Sequence, residues 1–232
     1  MNPTVAPSPL RAASEAATAL RLLNAAEQLL ATHGMEGTSV RMITAQARAN
    51  IASVTYHFGS KEGLIQAVFR RRLDWLNAER LRALDALEKS AQGAPIKPSK
   101  IVDAFFGTLL RMGQNPEQGG PVFLQLLGRT MTEPSKFIDT LLAQEHDAVI
   151  KRFKRALIQS LPQVPKAEIV WRFHFMLGAT AYAIAGADQL AGLRTKARAD
   201  QQIEQLQARL MSFLLGGLRA PLPLHSSSER GS

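Results

Sequence analysis

The chain has 232 residues, a formal net charge of +9 at pH 7, a hydrophobic fraction of 46% and no cysteine. Its length and apolar content allow one large or two small globular domains with a buried core. The absence of cysteine excludes a disulfide framework, a thiolate nucleophile and a cysteine metal site, and it fits a cytoplasmic protein. The positive charge favours a polyanionic partner, but the basic residues are spread along the chain and locate no site.

Residues 1–15 are rich in Pro, Ser and Ala, and we expect them to form a flexible N-terminal arm. They lack the apolar segment that a secretory signal needs. The longest apolar run, 175–187, is shorter than the roughly 20 residues that span a bilayer. We therefore expect no membrane partner.

Two short helices joined by a tight turn are predicted between Ser39 and Phe58, with Ser39 and Asn50 as their caps. Ile51 and Val54 are assigned to packing. Isolated helices shorter than about 12 to 15 residues are marginal in water, so a third helix is required. The apolar spacing predicts that helix from 18 to 33, with Thr18 as its cap and Gly34 as its end.

The outward face of the second short helix carries small, hydroxyl-bearing and aromatic side chains. They are Ala52, Ser53, Thr55, Tyr56 and His57. Such a face buries little and forms hydrogen bonds well, which suits base edges and phosphates in a DNA groove.

A long helix is predicted after Gly59, capped by Ser60 and continuing to about Lys89, which gives a rod of roughly 40 Å. Further helices are predicted over 100–112, from Pro121, from Pro134, from Pro165 and over 200–215. The helix after Pro165 is apolar nearly all round, and we expect it to be buried on every side. Val and Ile form no alternating runs, so the predicted fold class is all-α.

Residues 38–69, TSVRMITAQARANIASVTYHFGSKEGLIQAVF, resemble the N-terminal DNA-binding domain of the TetR family of bacterial repressors. The family pattern has a hydroxyl cap, an apolar helix, a turn, a recognition helix ending in Tyr-x-Phe, and then Ser-Lys-Glu. The resemblance implies a three-helix domain with a helix-turn-helix at 16–61, a helical ligand-binding and dimerisation domain at 62–217, and a flexible tail at 218–232.

A narrower resemblance rests on NIASVTYHFGSKEGLIQAVF together with WRFHFMLGATAYAIAG, and it points to PsrA-type regulators. These regulators respond to long-chain fatty acids and control fatty-acid degradation genes. The resemblance to the TetR family implies a homodimer formed by the last two helices, about 166–188 and 200–215. The two resemblances together imply a repressor that binds a palindromic double-stranded DNA operator and is released by a hydrophobic small molecule, such as a long-chain fatty acid or acyl-CoA. The alternatives are a regulator of drug efflux that responds to aromatic compounds, and a helical lipid-binding carrier.

The resemblance also implies which residues contact DNA. They are Thr38, Ser39, Arg48, Asn50, Ala52, Ser53, Thr55, Tyr56, His57 and Lys61. Arg48 occupies the turn, where the family usually has Gly in a left-handed conformation. That conformation costs a non-glycine residue roughly 1 kcal/mol, so either the turn differs slightly from the family pattern or a phosphate contact by Arg48 offsets the cost.

A hydrophobic effector needs an apolar cavity, and the C-terminal part is rich in large side chains suited to lining one. The candidates are Phe105, Phe106, Leu109, Phe123, Leu127, Arg129, Phe137, Trp171, His174, Phe175 and Met176. Arg129 and His174 are the candidate polar anchors, although a core position is the commoner role for such a histidine. The histidines show no zinc spacing, and no phosphate loop or nucleophile motif is present, so we expect no enzyme, metal or cofactor.

Overall fold

The computed structural model describes residues 9–133, 135–185 and 199–223. Every regular element in these ranges is helical, which confirms the predicted all-α class. The N-terminal helices are α1 (Pro9–His33), α2 (Val40–Ala47), α3 (Ile51–Phe58) and α4 (Lys61–Ala91). The later helices are α5 (Pro98–Val102), α6 (Thr108–Gly113), α7 (Gly120–Thr132), α8 (Lys136–Ser160), α9 (Lys166–Ala185) and α10 (Ala199–Arg219). None of the helices in the described ranges has the length and apolarity needed to cross a membrane.

The first helix begins at Pro9, not at Thr18, so Thr18 is not its cap. The Thr18 hydroxyl lies inside the helix and donates to the carbonyl of Ser14 at 3.0 Å. Several alanines precede Thr18, and alanine has the highest helix propensity, so the helix continues through them. The predicted arm at 1–15 therefore overlaps α1 from Pro9 onwards, while residues 1–8 lie outside the described residues.

Three predicted helix caps are confirmed. The side-chain oxygens of Ser39, Asn50 and Ser60 accept from backbone N–H groups at 3.2, 2.9 and 3.0 Å, at the starts of α2, α3 and α4. Gly34 ends α1 with a φ of 73°, a conformation that glycine adopts without steric cost. The short helices are thus defined by local hydrogen bonds, which is why the sequence predicts their starts.

The side chain of Val54 holds α3 against the core, whereas that of Ile51 does not. Val54 is buried, but Ile51, the first residue of α3, is 51% exposed. The assignment of Ile51 to packing is therefore wrong. Helical spacing puts the two residues on one face, but it does not show that the first residue of a short helix is covered.

The long helix α4 connects two hydrophobic cores, and its 31 residues give a length of roughly 46 Å. Leu64 and Leu73 of α4 belong to the first core, which also includes Phe123 of α7. Leu84 belongs to the second core, where it is clustered with Phe105 of a π-helical turn (Asp103–Gly107). The first core is therefore shared between the N-terminal helices and the C-terminal domain.

Two of the predicted C-terminal helices differ from the prediction, one in its interior and one at its start. The helix predicted over 100–112 is interrupted by a π-helical turn (Asp103–Gly107), which an apolar pattern of about 3.6 residues does not distinguish from an α-helix. Pro134 lies outside the described residues, and α8 is capped by Ser135, whose hydroxyl accepts from the backbone at 3.5 Å.

Helix α9 is not buried on every side, which corrects the prediction for it. Its outer face exposes Trp171, Phe175 and Tyr182 to 58%, 62% and 76% of their full areas. The inner face carries buried Ile169 and Phe173. An apolar composition on all sides indicates that every face of a helix packs against other apolar groups. It does not show that these groups belong to the same chain.

A buried carboxylate joins α1, α4 and the loop before α7. Glu27 of α1 is 3% exposed, and its oxygens accept from Arg71 at 2.6 Å and from Arg72 at 2.7 Å, both on α4. Arg72 also donates to the carbonyl of Gln118 in the loop before α7. Desolvation lowers the pKa of Arg71, and the negative charge of Glu27 opposes that shift. This ion cluster connects α1, α4 and the loop before α7.

We expect Glu27→Gln to reduce the free energy of unfolding by about 3 kcal/mol, because it leaves two partly buried guanidinium groups without a counter-charge. Urea unfolding followed by circular dichroism measures the change. The matched control is Glu79→Gln, which breaks the exposed pair with Arg82 and should cost less than about 1 kcal/mol. Equal effects of the two substitutions would show that the Glu27 cluster has no special role.

Candidate DNA-binding surface and ligand cavity

The outward face of α3 is arranged as a surface that can enter a groove. Ala52, Thr55 and Tyr56 are exposed, whereas Ser53 and His57 are partly buried. The Tyr56 hydroxyl lies 3.4 Å from a carboxylate oxygen of Glu15 on α1. The face therefore presents a methyl group, a hydroxyl and a phenol, which are groups that contact base edges and phosphates.

The turn between α2 and α3 contains Arg48 in the left-handed region, with φ 49° and ψ 50°. Its backbone N–H donates to the carbonyl of Ala45 at 3.2 Å, and the next N–H donates to Thr44 at 2.9 Å. These bonds close the end of α2 in the way a glycine normally does. The arginine thus keeps the turn conformation of the family pattern, and its side chain is exposed.

Two of the predicted phosphate-contacting residues have structural partners. Thr38 is almost fully buried, and its hydroxyl donates to the carbonyl of Gly34 at 2.7 Å, so that hydroxyl faces the core and not DNA. This placement contradicts a side-chain phosphate contact by Thr38. The ammonium of Lys61 donates to the carbonyl of Met35 at 2.8 Å and is partly buried. Ser39 and Asn50 are exposed at helix starts, where backbone N–H groups attract anions.

Arg21 of α1 was not identified from the sequence. Its Nε donates to the carbonyl of Ala47, the last residue of α2, at 3.1 Å. A cation at the end of a helix satisfies a carbonyl that has no partner within the helix. No sequence motif marks this contact, because it joins residues 26 positions apart.

An apolar cavity of about 510 Å³ lies in the C-terminal domain. Five of the predicted residues line it, namely Phe105, Phe106, Leu109, Leu127 and His174. Residues that the sequence did not single out complete the lining. They are Leu76, Arg80, Gly128, Leu142, Ala143, Ile150, Leu177, Gly178, Thr180, Ala181 and Ile184. The cavity therefore has walls from α4, the π-helical turn, α6, α7, α8 and α9.

The other predicted lining residues lie elsewhere. Phe123 packs edge to face on Phe69 in the first core, and Met176 is buried in the second core. Phe137, Trp171 and Phe175 are exposed. The hydrophobicity of these side chains indicates that they are covered by other apolar groups. It does not distinguish a position in a cavity wall from one in a core or on an outer face.

Arg129 does not line the cavity, which contradicts its prediction as an anchor. Its Nε donates to Glu133 at 2.6 Å, and its Nη1 donates to the carbonyls of Thr32 at 2.6 Å and Ala31 at 3.2 Å. It therefore satisfies the C-terminal carbonyls of α1 from α7, which is a favourable place for a cation.

Arg80 of α4 is the charged residue at the cavity wall. Its side chain is 3% exposed, its Nε donates to the carbonyl of Phe105 at 3.0 Å, and its Cζ lies 3.8 Å from the centre of the Phe105 ring. Burial lowers the pKa of Arg80 to about 9, because desolvation disfavours the charged form. Among the described residues, no group of three or more His, Asp and Glu side chains could hold a metal ion.

Two family models match the sequence. The model described as "Bacterial regulatory proteins, tetR family" matches residues 22–68, and the model described as "Tetracyclin repressor-like, C-terminal domain" matches residues 103–217. Together they cover well over half of the chain and correspond to the α1–α4 region and the cavity-bearing domain. No curated protein sequence is significantly similar to the chain.

Solved structures share the fold along almost their whole length. A TetR-family regulator from Syntrophomonas wolfei has a TM-score of 0.59 and 15% identity, covering 90% of this chain and 98% of that one. A transcriptional regulator from Rhodococcus sp. Rha1 has a TM-score of 0.56 and 17% identity, covering 88% and 99%. A tetR family regulator from Shewanella sp. PV-4 has a TM-score of 0.55 and 17% identity, covering 84% and 97%. At these identities the similarity concerns the fold alone.

The family models, the helix-turn-helix geometry and the shared fold agree. The chain therefore belongs to the TetR family of bacterial regulators, which bind DNA as homodimers, respond to small-molecule effectors and are not enzymes.

Proposed function

We propose that this protein is a transcriptional repressor that binds a palindromic operator and is released by a long-chain fatty acid or acyl-CoA, so that it regulates genes of lipid metabolism. The observation that carries the proposal is the apolar cavity of about 510 Å³, within the range of about 300–1,000 Å³ typical of small-molecule sites. Its walls are aliphatic and aromatic, which suits an alkyl chain better than a polar metabolite.

The DNA-binding half of the proposal assigns α3 to the major groove. Ala52, Ser53 and Thr55 face base edges, while Tyr56 and Arg48 reach phosphates. Ser39, Asn50, His57 and Lys61 complete the proposed contact set, in which the backbone N–H groups of the capped helix starts replace the hydroxyl of Thr38. We propose that the DNA-binding domain spans residues 16–61, so that the start of α1 at Pro9 lies before it. Helix α4 connects it to the proposed ligand-binding domain at 62–217.

The dimer interface in this proposal is formed by α9 and α10. Trp171 and Phe175 stack on each other at 5.8 Å on the outer face of α9, and Phe213 is 67% exposed on α10. A side chain at Gly217 on α10 would meet no atom within 4 Å, so a partner helix could approach closely there. Exposed aromatic rings on neighbouring helices favour an interface between two copies. Residues 186–188 of the proposed interface segment 166–188 lie outside the described residues.

Helix α7 gives the cavity a direct connection to the DNA-binding helices. Leu127 and Gly128 line the cavity, and the next residue, Arg129, bonds to the last turn of α1. The backbone of α9 is close to Gly128, where an added Cβ would lie 3.0 Å from the Cα of Ala185. An effector that pushes α7 therefore moves α1. In a homodimer this motion changes the spacing of the two recognition helices, which must be about one DNA turn, near 34 Å.

A second candidate function is a TetR-family regulator of drug efflux that responds to aromatic compounds. The observation that favours it is the pair of buried rings at the cavity, Phe105 and Phe106, whose centroids are 4.9 Å apart. Such rings can stack on an aromatic ligand as well as contact an alkyl chain. The effector distinguishes the two functions, because the DNA-binding half is the same in both.

We expect the protein to bind DNA from upstream of its own gene more tightly than random DNA at moderate salt, in a gel-shift titration. Tyr56→Phe should weaken this binding roughly tenfold or more, because it removes a phosphate hydrogen bond from each protomer. Thr140→Ala is the matched control, since that hydroxyl is exposed on α8 and donates to its own helix at 2.8 Å. Equal affinity for both DNAs would rule out the repressor and favour a lipid carrier.

Arg48→Gly should have two opposite effects if Arg48 contacts phosphate. Relief of the left-handed strain should raise the free energy of unfolding by up to about 1 kcal/mol. The logarithm of the DNA-binding constant falls linearly with the logarithm of salt concentration. Loss of one phosphate contact per protomer should make this negative slope shallower by about 1.8. Arg48→Ala is the control, because it removes the charge and keeps the strain. An unchanged salt slope in both variants would contradict the proposed contact.

Hexadecanoic acid or hexadecanoyl-CoA should release operator DNA at micromolar concentration, measured by fluorescence anisotropy of labelled DNA. The physical reason is that the ligand releases DNA only if it binds more tightly to the arrangement of α7 and α1 that does not fit the operator. Pyrene serves as the aromatic comparison. Release by pyrene and not by either lipid would replace the fatty-acid regulator with the efflux regulator.

A further inference from the structure

Arg80 differs from the other buried arginines of the described chain in its partners. Arg172 is also buried, but it donates to Glu168 at 2.9 Å and to the carbonyl of Leu218 at 2.7 Å. Arg71 and Arg72 share the carboxylate of Glu27. No described carboxylate lies within salt-bridge distance of Arg80. A buried cation without a counter-ion is costly, so its presence calls for a functional reason.

The guanidinium of Arg80 has donors to spare at the cavity wall. Its Nε is used by the carbonyl of Phe105, and the flat face of the group lies on the Phe105 ring. These two contacts fix the plane of the guanidinium. The terminal nitrogens donate to no described group, and an arginine can offer five N–H donors in a rigid fork. The fork is therefore oriented in advance for a planar, two-oxygen acceptor.

The local backbone supports this orientation. The accepting carbonyl belongs to the π-helical turn (Asp103–Gly107), and turns of this type are frequent at functional sites. Apart from Arg80, the cavity is lined mainly by aliphatic and aromatic side chains, such as Leu76, Phe106 and Ile150. A ligand that satisfies this arrangement has one acidic end and a long apolar remainder.

We propose that Arg80 binds the carboxylate of the effector, so that the cavity selects a free long-chain carboxylic acid. The inference rests on the proposed function, because it names the chemical group that the proposed effector must carry. With a pKa of about 9, Arg80 is cationic at neutral pH, and it pairs there with an ionised carboxylate. Arg80 is on α4, the helix that also carries Arg71 and Arg72, so the bound acid acts directly on the connection to the DNA-binding helices.

The first test uses the wild-type protein and three probes that differ only in the head group: hexadecanoic acid, hexadecan-1-ol and hexadecylamine. Isothermal titration calorimetry should show the acid binding roughly ten- to a hundredfold more tightly than the alcohol, since a charge-assisted hydrogen bond is lost. The amine should bind most weakly. Equal affinities of the acid and the alcohol would overturn the proposal. A preference for hexadecanoyl-CoA over the free acid would also overturn it, because the thioester has no carboxylate.

The second test compares Arg80→Met with Arg82→Met, which is two residues away on the same helix and removes a largely exposed arginine. Arg80→Met should lose the preference for the acid and still bind the alcohol, while Arg82→Met keeps the preference. Without ligand, Arg80→Met loses the hydrogen bond to the carbonyl of Phe105 and also removes an unpaired buried charge, so its unfolding temperature should stay close to that of the wild type. A structural arginine would give a much lower temperature. If Arg80→Met does not fold, the binding of the three probes to the wild-type protein and to Arg80→Lys tests the proposal. Arg80→Lys should retain part of the preference for the acid.

The outcomes separate this inference from the proposed function. If the alcohol binds as tightly as the acid and also releases operator DNA, the regulator stands and the role of Arg80 is refuted. If none of the three probes binds and none releases DNA, the proposed effector class is refuted together with the inference.

Discussion

The structure depends on the buried carboxylate of Glu27. Two arginines from α4 bind it from one side, and Arg72 extends the contact to the carbonyl of Gln118 before α7. Burying a carboxylate costs free energy unless it is paired, and for Glu27, which is 3% exposed, both guanidinium groups provide that pairing. The three elements that meet there are α1, which supports the helix-turn-helix, α4, which lines the cavity, and the loop that leads into α7. The elements that support DNA binding and those that line the cavity therefore meet at one ion cluster.

Two further contacts connect the cavity to the helices that meet at this ion cluster. Arg129 links the cavity-lining turn of α7 to the last carbonyls of α1, and Phe123 of the same helix packs on Phe69 of α4. The first core consequently contains residues from both domains. A packed core of this kind shifts between discrete arrangements and does not deform gradually. The proposed release mechanism uses this property, in that a small displacement of α7 would reposition α1.

The sequence predicted the features that depend on local chemistry. The capping hydroxyl of Ser39 and the amide oxygen of Asn50 bond to N–H groups within three residues, and the left-handed turn at Arg48 follows from its place in the motif. Contacts between distant residues were not predictable. Arg129 stands among apolar neighbours in the sequence and Arg80 stands in a charged stretch, and only the packing shows that Arg80 lines the cavity while Arg129 caps α1. Likewise, an aromatic ring on α9 needs cover, but periodicity does not say whether a ligand, the core or a second copy provides it.

The most direct test of this account measures the distance between the two DNA-binding domains of the dimer. The chain has no cysteine, so Glu36→Cys, at an exposed position beside the helix-turn-helix, allows one spin label per protomer. Double electron–electron resonance should give one narrow distance distribution without effector and a displaced distribution with hexadecanoic acid, because the ligand moves α7 and α4 against α1. An unchanged distribution at a concentration of acid that releases DNA would contradict the account.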